Sequence, residues 1–102
     1  MAIEFKPDYH GAWYNRGISL SALGRKEEAI ASYDKAIEFK PDNGPAYYNR
    51  ACFYSLQGDF DRAISDLAEA IRLEPEEYRK LAATDSDFEP LREDPRFLRM
   101  LN

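Results

Sequence analysis

The seven letters AIEFKPD occur twice in this chain, at residues 2–8 and 36–42, an offset of 34 residues. A period in that range constrains the fold more than any other feature of a sequence. It means one supersecondary unit used again, each copy burying its apolar face against the next. The match extends beyond the heptapeptide. Residues 10–43 laid over 44–77 agree at 11 of 34 positions, including Tyr14/Tyr48, Asn15/Asn49, Arg16/Arg50, Gly24/Gly58, Ala29/Ala63, Ile30/Ile64, Ala36/Ala70 and Pro41/Pro75.

Each unit reads as two helices. In the first, Trp13, Gly17 and Leu20 form one apolar stripe at helical spacing, and Ala29, Ile30, Tyr33, Ala36 and Ile37 form another, with Phe39 also expected to face the core. The second unit repeats the scheme with Tyr47, Ala51 and Tyr54, then Ala63, Ile64, Leu67, Ala70 and Ile71. Gly24 and Gly58 stand where a left-handed residue closes the first helix, and Asp59 stands where a side chain caps the second. Pro41 and Pro75 end the second helices, because proline disfavours helical geometry in the residue before it. Gly17, inside a helix, costs about 1 kcal/mol relative to alanine. That cost is tolerable where two helix axes approach closely, and Ala51 holds the same place in the second unit.

With these residues in register, the pattern W-x3-G-x2-L…G-x4-A-x3-Y-x2-A…P resembles the tetratricopeptide repeat. Trp13, Gly17, Leu20, Gly24, Ala29, Tyr33, Ala36 and Pro41 occupy its signature places, as do Tyr47, Ala51, Tyr54, Gly58, Ala63, Leu67, Ala70 and Pro75. The resemblance implies an all-α fold, a right-handed α-solenoid of antiparallel helix pairs. In that register, residues 1–102 form a single domain. Residues 2–9 are the tail of a preceding repeat, 10–43 and 44–77 are two repeats, and 78–102 are a degenerate third unit and cap. Two readings follow, a piece cut from a longer array or a natural chain with a worn first repeat; the first is the expectation, since the first copy of the heptapeptide is a helix ending without its beginning. Past Pro75 the repeat decays. Tyr78, Leu81 and Ala82 share one face of a short helix, and Asp94-Pro95 starts another whose apolar face holds Phe97, Leu98 and Leu101. This closing segment is similar to the degenerate carboxyl ends of bacterial arrays of the family.

Charge excludes some partners. The net charge is −5, and residues 74–94 carry eight acids and three bases, which accounts for all of it. A phosphate backbone needs a basic stripe, so nucleic acid is not expected, nor is an anionic membrane. No apolar run approaches a membrane span of about 20 residues. Cys52 is the only cysteine, which suits a reducing, cytoplasmic setting.

Nothing in the chain assembles into a catalytic constellation. His10 is the only histidine and opens a helix, and Cys52 has no second histidine or cysteine nearby in sequence. The run Asp85, Asp87, Glu89 begins like a calcium loop, but Pro90 replaces the turn glycine and Arg96 stands where a bidentate glutamate belongs. It reads as a solvated cap loop. The expectation is a non-enzyme with no cofactor and no metal.

One face is left over. Beside each buried stripe, the first helices carry a second one, with Tyr14, Asn15, Ile18 and Ser21 in unit one and Tyr48, Asn49, Cys52 and Ser55 in unit two. In the tetratricopeptide class the first helices line a concave groove that binds extended peptides or partner helices, so the resemblance implies a peptide groove at these residues and a protein or peptide partner. The residue chemistry agrees. Asparagine presents donors and an acceptor together, as a peptide bond requires, and it can equally bond between helices. Tyrosine supplies large amphipathic contact area. Some members clamp a terminal carboxylate, but Tyr14 stands where that clamp has lysine and Ile18 where it has asparagine, so carboxylate-tail binding is not expected. Arg16 and Arg50 lie beside the groove, either lending it charge or pairing with acids of neighbouring helices. The alternative function is self-association as a homo-oligomer through the amino-terminal repeat surface, including Ile3 and Phe5.

Overall fold

The computed structural model describes residues 10–102. The readings on residues 2–9, including the tail of a preceding repeat and the Ile3 and Phe5 surface, lie outside the described residues. Six α-helices follow one another: α1 (His10–Ala22), α2 (Lys26–Phe39), α3 (Gly44–Gln57), α4 (Phe60–Leu73), α5 (Pro75–Thr84) and α6 (Pro95–Leu101), with a 3₁₀ turn at Ser86–Leu91 between α5 and α6. No strand occurs among the described residues. Helices pair as α1 with α2 and α3 with α4, and α3 lies against α2, so the pairs stack as a helical-repeat solenoid.

Both hairpins turn the same way. Gly24 and Gly58 have φ of 77° and 83°. Gly24 N–H donates to Ser21 and Arg25 N–H to Leu20; in the second unit Gly58 N–H donates to Ser55 and Asp59 N–H to Tyr54. This double bond pattern closes a helix through a left-handed glycine. Asp59 then caps α4 by accepting from Arg62 N–H, and Asn43, which the repeat pattern did not flag, caps α3 by accepting from Ala46 N–H. Glu27 and Glu28, and later Glu76 and Glu77, lie in first turns, where the helix dipole favours acids. Pro75 does more than end α4: it is also the first residue of α5, so a single residue, Glu74, joins these two helices.

The core divides along the solenoid. One cluster gathers Leu20, Ala29, Tyr33, Ala36, Ala46 and Phe53, with the Tyr33 and Phe53 rings stacked at 6.2 Å. The other runs from Ala51, Leu67 and Ala70 into the cap at Phe88, Leu91 and Phe97. Gly17 permits the first cluster to close: a Cβ there would lie 2.6–2.9 Å from three ring atoms of Tyr33. Trp13, Tyr47 and Tyr54 lie at the cluster edges, half-buried.

Three apolar assignments are corrected. Leu81, Leu98 and Phe39 are exposed. Phe39 is the last residue of α2, and α5 and α6 are short helices that each bury only a narrow stripe, Tyr78 with Ala82 and Phe97 respectively. A further clamp ties the units together. Arg50 reaches Asp66 of α4 through two bonds of 2.7 Å and Asp34 of α2 at 2.6 Å. Of the two roles open to Arg50, pairing with neighbouring acids is the one it takes. In unit one Ser32 stands where Asp66 does, and Arg16 is exposed.

Candidate functional site: the concave face and its cap

The two first helices, α1 and α3, present the groove stripes side by side. On α1, Tyr14 and Ser21 are half-buried and Asn15 and Ile18 are exposed, with Ile18 43% accessible despite its apolar side chain. The Tyr14 ring leans on Tyr33 at 5.8 Å, and its hydroxyl accepts a hydrogen bond of 3.1 Å from Asn49 Nδ2. Asn49 thus bonds between helices, the second of its two open roles, while also lining a cleft between them. Burial holds the Tyr33 phenol protonated, its pKa pushed up to about 12 with the neighbouring Tyr14 adding to the shift.

On α3 the stripe is largely covered. Tyr48, Cys52 and Ser55 are only 7%, 8% and 0% exposed. The cover is the chain's own α5 and the segment after it. The Tyr48 hydroxyl donates to Asp85 Oδ2 at 2.7 Å, its ring stacks on Tyr78 at 5.2 Å, and Phe88 meets it edge-on at 5.6 Å. Ser55 Oγ donates to the Asp87 carbonyl at 2.7 Å. The segment is held in turn: Asp85 caps the 3₁₀ turn by accepting from Asp87 N–H, and the Arg92 guanidinium donates to the Ala83 and Asp85 carbonyls. Asp94 then caps α6 by accepting from Arg96 N–H. Phe88 and Leu91 are fully buried, so the 3₁₀ turn is part of the core rather than a loose strap.

This changes the reading of the D-x-D-x-E run. Glu89 is exposed, but Asp85 and Asp87 are half-buried and turn inward toward α3. The Cys52 thiol and these two carboxylates place donor atoms within 4.8 Å of one another. Burial first, then the two acids, push the Cys52 thiol far above its ordinary pKa, so it remains a protonated, weakly donating group whose Sγ lies 3.9 Å from Asp85 Oδ2. A protonated buried thiol is a poor nucleophile. Burial, and then the charge of Asp85, also raise the Asp87 carboxyl above the usual range.

What stays open is a cleft of about 180 Å³ between α1, α3 and the cap. Ile18 and Ser21 of α1, Tyr33 of α2, Tyr48, Asn49, Cys52 and Phe53 of α3, and Asp85 and Asp87 of the cap line it. Ser55, beneath the cap, does not line it. The cap's contribution could not be read from a 34-residue period, because it comes from a segment after the period has lapsed. The one available signal was the Asp-Ser-Asp sequence at residues 85–87, the composition of a side-chain-capped turn.

Two tetratricopeptide repeat family models match the sequence, one over residues 11–43 and the other over 32–65, together spanning more than half of the chain. No curated protein matches it. The chain belongs to the tetratricopeptide repeat family, whose repeats mediate protein–protein interactions and are typically non-catalytic. Among the described residues, no helix is long and apolar enough to cross a membrane.

Proposed function

We propose that this tetratricopeptide repeat chain is a non-catalytic scaffold module that holds an extended segment of a partner protein in the open part of its concave groove. Tyr14, Asn15, Ile18, Ser21 and Asn49 make the contacts, and Tyr48 and Cys52 back the cleft. The observation that carries this reading is the half-exposed Ile18 at the rim of a side-chain-sized cleft, beside the Asn49 amide. An exposed branched apolar group next to a peptide-like hydrogen-bonding group suits a ligand backbone with one apolar contact. We assign residues 10–43 and 44–77 as the two repeat units and 78–102 as the degenerate unit and cap, and we place the protein in the cytoplasm because Cys52 lacks a disulfide partner.

The test is titration of a degenerate library of short extended peptides against the wild type and an Asn15→Ala/Ile18→Glu double variant. Both side chains are exposed, so the fold survives the change. The variant is expected to lose binding. Undiminished binding by the variant refutes the groove.

A further inference from the structure

The groove is not neutral along its length. The cap brings Asp85 and Asp87 into the lining of the cleft, and among the described residues neither takes part in an ion pair within 4.0 Å, Lys26 of α2 acting on Asp87 only from farther away. The Arg92 guanidinium is spent on Glu89 and on backbone carbonyls rather than on these carboxylates. The rest of the cleft is apolar or neutral, with Ile18 exposed and Phe53 and Tyr33 buried.

A long side chain with an aliphatic stem and a cationic tip matches such a surface. Its methylenes lie along Ile18, and its charge meets two carboxylates in a partly desolvated setting, where an ion pair gains more than at an open surface. We infer that the groove selects a partner segment carrying a lysine or arginine, whose charge docks on Asp85 and Asp87 while its backbone lies along α1. This rests on the groove reading above and adds the chemical identity of the ligand's anchoring side chain. The specificity comes from the degenerate cap and not from the repeats.

Asp87 is the residue to change. Asp85 takes the Tyr48 hydroxyl and caps the 3₁₀ turn, whereas Asp87 anchors the cap through its backbone carbonyl to Ser55. Asp87→Asn therefore removes charge and leaves the cap in place, which an unchanged far-ultraviolet circular dichroism spectrum verifies. Three pools of short extended peptides, random except for a fixed central lysine, glutamine or glutamate, are titrated by fluorescence anisotropy against the full chain and this variant. The lysine pool is expected to bind tightest, and Asp87→Asn to weaken it about tenfold while leaving the glutamine pool unchanged. Equal binding of all three pools, unaffected by Asp87→Asn, overturns the charge selection and leaves the groove standing. Absence of binding by every pool overturns both. Tighter binding of the glutamate pool overturns the charge assignment alone.

Discussion

Gly17 and Tyr33 are a matched pair, and the second repeat shows what the alternative pair looks like. A Cβ at position 17 would lie 2.6, 2.8 and 2.9 Å from the ring atoms of Tyr33. Comfortable carbon contacts are about 3.5–4.0 Å, so the ring must shift by about an ångström. It has little room to do so, being 1% exposed and packed between Tyr14 and Phe53. Overpacking of this kind costs about 1–3 kcal/mol, whereas replacing a helical glycine with alanine gains about 1 kcal/mol. Gly17→Ala is thus expected to destabilise the chain by up to about 2 kcal/mol in urea unfolding, against the helix-propensity trend. At the equivalent place the second unit has Ala51 with Leu67, both fully buried. The double variant Gly17→Ala/Tyr33→Leu copies that pair. Tyr33→Leu alone costs about 2 kcal/mol as a large-to-small core change, but the double variant should be more stable than the sum of the singles by about 1–3 kcal/mol. A Gly17→Ala chain that is more stable than wild type, or strict additivity in the double variant, refutes the close-approach argument.

Three further outcomes are expected. Arg50→Ala strands the mostly buried Asp66 carboxylate, which loses both of its 2.7 Å bonds, and should lower the urea unfolding free energy by about 3 kcal/mol. Asp87 has a folded pKa above its ordinary 3.8, so as pH rises the unfolded chain ionises first. Its charge therefore erodes stability progressively from about pH 3.8 up through the raised value and by a constant amount above it. Relative to wild type, Asp87→Asn should gain stability across that window in pH-resolved urea melts, and a variant that loses stability as pH rises contradicts the assignment. The Cys52 thiol, buried and faced by two acids, should react with iodoacetamide about a hundredfold or more slowly in the folded chain than in urea, and labelling followed by mass spectrometry reads this directly.

The parts of the fold that obey the 34-residue period were legible in sequence. Gly24 and Gly58 announce left-handed helix ends because no other residue adopts that geometry without strain, and Asp59 and Asp94 announce caps through local hydrogen bonding. The close approach at Gly17 was legible, but its partner was not: the sequence pattern set alanines such as Ala29 and Ala36 against it and Tyr33 where the helices diverge, whereas the Tyr33 ring fills that space. What the period could not carry was the burial of Tyr48, Cys52 and Ser55. Their cover is a segment more than 30 residues away along the chain, with no repeat counterpart to predict its path. For the same reason Asp85 and Asp87 looked solvated: their inward turn depends on the Tyr48 hydroxyl and on the Phe88 anchor. Asn49 illustrates a different limit. Its position in the groove stripe followed from helical spacing, but its bond to the Tyr14 hydroxyl depends on how closely α1 and α3 stack.

The most direct test of the concave groove is chemical-shift mapping on the ¹⁵N-labelled chain, titrated with the tightest-binding peptide from the lysine pool. The backbone amides of Tyr14, Asn15, Ile18, Ser21, Asn49 and Asp87 should move together and saturate at one stoichiometry. Shifts confined to the outer faces of α2 and α4, with these six amides unmoved, would place the ligand on the convex side and contradict the account.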